Sequence, residues 1–393
     1  MAKTVATTGN LGCAFAMKQI NPDVVAAYPI TPQTQIVEEF ANFVANGEVD
    51  TEYINVESEH SAMSACIGAS AAGSRVMTAT SSQGLAYMWE QLYIAAAMRC
   101  PIVMHNVNRA LSGPINIHCD HSDSMGARDA GWVQIFSENA QEAYDNTIIA
   151  VRVAEHMDVR LPVMVLMDGF IVSHAIDRFD VIDDAAVREF VGPFNALYPL
   201  LDLDNPVTVG SFAMPPFYME QKRQLRNALD NARGVVKAVS DEYGRLSGRT
   251  YDLFEAYRLD DADVGIVVIG STAGTAKYTV DLLRSQGVKA GLLKVRLFRP
   301  FPVDGIARAL SHLKAAGIMD RADAFGAEGG PLYLATKAAL YDVETRPKLI
   351  GYVYGLGGRD TGPDQIESVF RELSEVASGK QSRKSPVYLG VKE

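Results

Sequence analysis

Tyr53-Ile54-Asn55-Val56-Glu57-Ser58-Glu59-His60 is the stretch on which the reading of this chain turns. A short β-rich run, Tyr53 to Val56, passes directly into two carboxylates. Very small residues follow: Ser61, Ala62, Ser64, Ala65, Gly68, Ala69, Ser70, Ala71, Ala72 and Gly73. Small residues at helical spacing let a helix lie almost in backbone contact with its neighbours. A carboxylate at the mouth of such a helix, just beyond a buried strand, sits where α/β sheets place their ligands. Taken alone, Glu57 and Glu59 are equally at home as helix N-terminal acids, favoured there by the dipole and by capping. The flanking sequence decides between these readings.

Upstream, Val24 to Tyr28 is a short apolar strand followed by Pro29-Ile30-Thr31-Pro32. Ile36, Val37, Phe40, Phe43 and Val44 then repeat with a helical period. Thr31 before Pro32 has the pattern of an N-cap before the first helical residue. Downstream, Arg75 to Thr80 is a strand with Ser81-Ser82-Gln83-Gly84 as its exit turn. A helix over Leu85 to Met98 and a strand over Pro101 to Val107 follow. Strands alternating with helices in units of about 25 residues predict a mostly parallel, doubly wound sheet. Its ligand edge lies beyond the strand C-termini, and Pro29–Thr31, Glu57–Glu59, Ser81–Gly84 and Asn108–Arg109 all fall there.

Asn108 to Trp132 is too long for an idle turn, so a binding or covering role is expected. Within it His118, Asp120, His121 and Asp123 lack helical ligand spacing, and hydrogen bonds that fix the loop are favoured over a metal. Val133 to Phe136, a helix from Asn139 to Glu155 and the strand Pro162 to Met167 extend the sheet. Periodicity is weak from Ser173 to Val207, a surface excursion. An amphipathic helix over Glu220 to Tyr243 is expected to bridge two domains. A second unit opens with the buried strand Val264–Ile269 and continues through Val288–Val295. Pro300-Phe301-Pro302 starts a helix, and Ala324-Phe325-Gly326 ends a further strand. The turn Gly270–Gly274 carries no dinucleotide or P-loop fingerprint. The expected domains are residues 1–240, a linker at 241–258, and a smaller α/β domain at 259–393.

The net charge of −11 over 393 residues argues against nucleic acid or an anionic membrane as partner. Met1 to Asn10 lacks the apolar core of a signal peptide and no long uncharged apolar run follows, so a cytoplasmic protein is expected. Cys13, Cys66, Cys100 and Cys119 are scattered with no CxxC pair, the pattern of reduced, buried thiols. If this chain takes part in redox chemistry, the electrons leave through another polypeptide.

Four stretches in order, Tyr28-Pro29-Ile30-Thr31-Pro32, Glu57-Ser58-Glu59, Thr80-Ser81-Ser82-Gln83-Gly84 and Asn108-Arg109-Ala110-Leu111-Ser112-Gly113-Pro114-Ile115-Asn116-Ile117, carry a resemblance. Asp120-His121-Ser122-Asp123, Asp129-Ala130-Gly131-Trp132 and Arg299-Pro300-Phe301-Pro302 extend it over essentially the whole chain. Together they resemble the α subunits of multi-subunit 2-oxoacid:ferredoxin oxidoreductases. The resemblance implies a doubly wound, pyrimidine-type thiamine-diphosphate-binding domain followed by a transketolase-C-terminal-like α/β domain. It further implies that thiamine diphosphate is shared with a β-type subunit that binds its Mg2+, and that [4Fe–4S] clusters lie on other, γ- and δ-type subunits.

Carried over residue by residue, the resemblance makes Glu59 the carboxylate on the aminopyrimidine ring, with Glu57 the alternative if the register shifts. Arg109 would clamp the oxoacid carboxylate and Thr31 would give it a hydroxyl. Pro29, Ser81 and Ser82 would line the cofactor pocket, although ordinary turn duty suits the two serines equally well. The implied reaction joins pyruvate and coenzyme A, releases carbon dioxide and reduces ferredoxin, reversibly. 2-Oxoisovalerate and 2-oxoglutarate are the rival substrates, and a non-catalytic scaffold subunit is the rival of another class.

Overall fold

The apolar runs of the sequence become strands in a computed structural model that describes residues 3–392. In chain order the first unit has β1 (Lys3–Thr8), β2 (Val24–Ala27), β3 (Glu52–Asn55), β4 (Val76–Thr80), β5 (Val103–Asn108), β6 (Val133–Ser137), β7 (Val163–Asp168) and β8 (Ile176–Val181). The second unit has β9 (Phe254–Tyr257), β10 (Val264–Ile269), β11 (Ala290–Val295), β12 (Leu297–Arg299), β13 (Ala315–Asp320), β14 (Lys348–Val353) and β15 (Val387–Tyr388).

The larger sheet has the order β12-β6-β7-β5-β4-β2-β3. Its neighbours are parallel except for β12, which pairs antiparallel with β6. After β2 the chain moves outward to β3, and after β4 it moves the opposite way to β5. The connections therefore diverge between β2 and β4, which opens the crevice where doubly wound sheets bind ligands. The smaller sheet runs β15-β14-β13-β10-β11-β9, parallel but for β9. β8, in the excursion, forms a separate antiparallel pair with the N-terminal strand β1.

The units interlock through exchanged strands. β12 follows the second unit's β11 yet pairs with β6 of the first. β9 lies in the stretch read as a linker and edges the second sheet. The long helix Phe217–Ser247 buries Ala228, Ala232, Val235, Val236, Val239 and Tyr243 in the core of the first unit.

Local departures from the sequence reading have physical causes. Helix Thr34–Ala45 starts three residues after Thr31, with Gln33 in the cap position, so Thr31 is not the N-cap. Side chains hold the turn instead: Asn10 Nδ2 donates to the Pro32 carbonyl at 2.8 Å and Gln33 Nε2 to the Tyr28 carbonyl at 2.9 Å. The helix expected over Leu85 to Met98 divides at Met88 into Ser82–Tyr87 and Trp89–Ala97. Ala324-Phe325-Gly326 does not end a strand: β13 stops at Asp320 and Phe325 is 91% exposed. The strand is hidden in small residues because Gly317 faces Tyr352, Val369 and Leu373, leaving no room for a large side chain.

Candidate active site

Ser58 caps helix Glu59–Ala72, its hydroxyl accepting from the Ser61 N–H at 3.2 Å. This cap separates the two neighbouring acids. Glu57 stays exposed and bonds the Ser61 hydroxyl, whereas Glu59 turns inward and is only 8% exposed. Its carboxylate lies against the backbone of Gly84, where a Cβ would come within 2.8 Å of Glu59 Cγ and 2.4 Å of Thr80 Oγ1. Gly84 is thus required for close approach. No described residue donates a hydrogen bond to the Glu59 carboxylate or forms a salt bridge with it. A buried carboxylate without a partner is costly in an isolated chain.

The same rim holds further unpartnered polar atoms. Thr80 Oγ1, Ser81 Oγ, Asn106 Oδ1 and Asn108 Oδ1 are buried with no hydrogen-bond partner among the described residues. All four belong to the ends of β4 and β5 or the turn just beyond β4. Buried polar groups are rarely left this way unless a ligand or water completes them.

Arg109 is also 8% exposed and makes no salt bridge among the described residues. Its Nη1 donates to the Thr31 carbonyl at 2.9 Å and its Nε to the Asn116 carbonyl at 3.0 Å. Nη2 has no acceptor among the described residues. Burial pushes the guanidinium's pKa down while Asp123 acts the other way, and an arginine in such a place still stays charged. Thr31 and Arg109 are therefore brought together, with the Thr31 side chain and Pro29 exposed at the same edge.

Asp123 ties the rim together. Fully buried, it accepts from the backbone N–H groups of Ser82, Arg109 and Ser124 and from the amides of Asn106 and Asn108. It thereby fixes the exits of β4 and β5 relative to each other. Ser82 is spent on this scaffold, since its hydroxyl also donates to the Ala110 carbonyl at 2.6 Å. Ser81, by contrast, keeps an unused hydroxyl. Among the loop's acidic and histidine residues, Asp120 bonds Ser122 and the Gly357 N–H, His121 bonds Asp168, and His118 is exposed. These four do not converge on one point. Cys119, His121 and Asp168 do come together, but Arg321 Nη1 already sits 2.9 Å from Asp168 and supplies the positive charge there. Thr80, Gly84 and Asn116 lie inside the motif stretches quoted from the sequence, which gave none of them a role of its own. Gly84 left the plainest signal, a glycine where a helix begins beside a buried strand end.

The unpartnered carboxylate, the orphaned hydroxyls and the crevice position suit a ring with hydrogen-bonding edges of both polarities, and the residues fit the aminopyrimidine of thiamine. Comparisons with known proteins point the same way. Residues 15–241 match the family described as pyruvate flavodoxin/ferredoxin oxidoreductase, thiamine diphosphate-binding. Residues 262–366 match pyruvate:ferredoxin oxidoreductase core domain II. Pyruvate synthase subunit PorA of Thermotoga maritima is 54% identical over all of this chain and 99% of its own length. PorA of Methanocaldococcus jannaschii is 45% identical over 100% of this chain and 99% of its own, and ketoisovalerate oxidoreductase subunit VorA of Pyrococcus horikoshii is 45% identical over 97% and 96%. Among solved structures, the 2-oxoglutarate:ferredoxin oxidoreductase of Magnetococcus marinus superposes with a TM-score of 0.73 at 20% identity, over 95% of this chain and 65% of that one. A split-gene transketolase superposes at 0.57 with 11% identity, over 94% of this chain and 98% of that one. These two likenesses define the fold, the sequence matches define the lineage, and the chain belongs to the pyruvate flavodoxin/ferredoxin oxidoreductase family.

Proposed function

We propose that this chain holds the pyrimidine end of thiamine diphosphate and the carboxylate of pyruvate, as one subunit of a pyruvate:ferredoxin oxidoreductase. Pyruvate and coenzyme A become acetyl-CoA, carbon dioxide and a proton, while two electrons pass singly to ferredoxin. The observation that carries this reading is the pair Glu59 and Arg109. Each is buried at one sheet edge and neither has a charge partner among the described residues, which suits a site completed by a cationic cofactor ring and an anionic substrate.

Thiamine diphosphate, when bound, supplies the nucleophilic carbon and the electron sink. Glu59 would hold a proton at N1′ of the aminopyrimidine, its carboxylate kept in place by the absence of a side chain at Gly84. Arg109, fixed at Nη1 and Nε, would offer Nη2 to the oxoacid carboxylate through a charge-assisted bond. The Thr31 hydroxyl would give a further hydrogen bond, and Ser81 and Pro29 would line the ring pocket. A compact, neutral threonine suits a substrate with one carboxylate better than one with two.

The cysteines support an electron exit on other chains, because all four are buried and well separated in sequence. We assign Mg2+ and the [4Fe–4S] clusters to β-, γ- and δ-type partner subunits, and the complex to the cytoplasm. Among the described residues no helix is long and apolar enough to cross a membrane.

A second reading, oxidation of 2-oxoisovalerate, rests on the 45% identity to a subunit named VorA, against 54% and 45% to subunits named PorA. The assembled complex, offered pyruvate, 2-oxoisovalerate and 2-oxoglutarate in turn with coenzyme A and ferredoxin, separates them. Highest kcat/KM for pyruvate is expected. A preference for the branched acid would transfer the assignment to the second reading, and no oxoacid turnover would remove both.

A further inference from the structure

We infer that the glycine turn Gly355–Gly358 of the second unit positions Arg109, acting through Asn116. This rests on the reading of Arg109 as the carboxylate clamp. Arg109 has two side-chain anchors, and one of them, the Asn116 carbonyl, belongs to a loop whose tip is solvent-exposed, with Ile115 79% exposed. Such a stretch does not fix an atom by itself. Asn116 is fixed from the other unit: its Nδ2 donates to the Gly357 carbonyl at 2.9 Å, while its Oδ1 accepts from the His118 N–H at 2.7 Å. The contact continues on both sides. The Gly357 N–H bonds Asp120 Oδ2 at 3.1 Å, the Gly358 N–H bonds the Cys119 carbonyl at 2.7 Å, and the His121 N–H bonds the Arg321 carbonyl at 2.8 Å.

Glycine is needed at this turn for two reasons. Gly357 and Gly358 have φ of +60° and +80°, and a Cβ would meet Asn116 Nδ2 and His118 Cβ respectively, each at 2.4 Å. A side chain there would push the loop, and with it the carbonyl that aims the Arg109 guanidinium. The second unit thus takes part in substrate binding without touching substrate. Asn116 is a positioning residue.

The test uses the assembled complex with Asn116→Ala, Gly357→Ala, the double variant and Arg109→Lys. Asn116→Ala and Gly357→Ala should each raise the KM for the preferred oxoacid about 10–100-fold. Saturated kcat should change much less, and exchange of the thiamine C2 proton, measured without oxoacid, should stay at the wild-type rate. The double variant should be no worse than the worse single, because both remove one contact. Wild-type KM in both singles, effects that multiply, or proton exchange that slows with turnover would overturn the relay. If Arg109→Lys leaves KM unchanged, the clamp reading itself fails. If Arg109→Lys raises KM while the other two do not, only the relay fails. Should Asn116→Ala impair assembly, Gly357→Ala, which leaves the loop sequence intact, decides the matter.

Discussion

Charges at the crevice and charges along the seam between the two units are treated in opposite ways. At the seam, buried ions meet opposite charges. Asp145, where the linker joins the first unit at the end of this seam, accepts both Nε and Nη2 of Arg249 at 2.7 Å, together with the hydroxyls of Tyr243 and Tyr251. Lys294 meets Glu138, Glu142 and Glu255 at 2.6–2.9 Å. Asp168 collects His121, Arg321 and Ser271. At the crevice Glu59 and Arg109 are also buried, yet neither forms a salt bridge among the described residues. Burial costs both regions desolvation energy; at the seam opposite charges offset it, and at the crevice Asp123 is offset by five hydrogen bonds while Glu59 has neither. The contrast is what the proposed function rests on: the seam ions are matched within the chain, and Glu59 and Arg109 are not.

The largest expected effect tests the crevice side of this contrast. Glu59→Gln removes a charge that has no partner in the isolated chain, so the melting temperature should stay level or rise. Oxoacid turnover and thiamine C2 proton exchange in the assembled complex should fall by about 10²–10⁴-fold. Near-normal exchange would show that Glu59 is not the group acting on the ring.

The seam should respond in the reverse manner. Asp145→Ala strands Arg249 and two buried tyrosine hydroxyls, and should cost about 3–5 kcal/mol in denaturant unfolding. The KM for oxoacid in the remaining folded complex should not move. A raised KM at full stability would mean that seam and crevice are not separable.

The smallest effect is a pH dependence. Burial by itself would raise the Asp168 carboxyl, but His121 and Arg321 outweigh it and hold it well below the usual carboxylate range. Because the folded value lies under the unfolded one, this stabilisation is complete above about pH 4 and fades as pH falls through the folded value. Asp168→Asn should flatten the acid limb of a melting-temperature profile. A limb of unchanged steepness would place the acid loss at other carboxylates.

Much of the first unit was legible because its signals are local. Apolar runs such as Val24–Tyr28 and Pro162–Met167 announce buried strands. The placing of polar turns beyond strand ends followed from alternation alone. The strand expected to end at Ala324-Phe325-Gly326 stops at Asp320 instead, its start written in alanine and glycine, which carry no strand preference. Thr31 was misread as a cap because the Thr-Pro pattern is local, whereas the turn is held by Asn10, distant in sequence.

By itself the sequence determined which residue types stand at the sheet edge: Thr31, Glu59, Ser81, Ser82 and Arg109 follow their strands by short-range rules. It could not determine which of them remain free for chemistry. Glu57 and Glu59 look alike in one dimension, and so do Ser81 and Ser82. Only the tertiary structure separated them, by giving Glu57 to Ser61 and Ser82 to Ala110 and Asp123. The reason is physical. Helical and strand periodicity are set by neighbours along the chain, whereas the satisfaction of a buried polar atom depends on groups that only folding brings near.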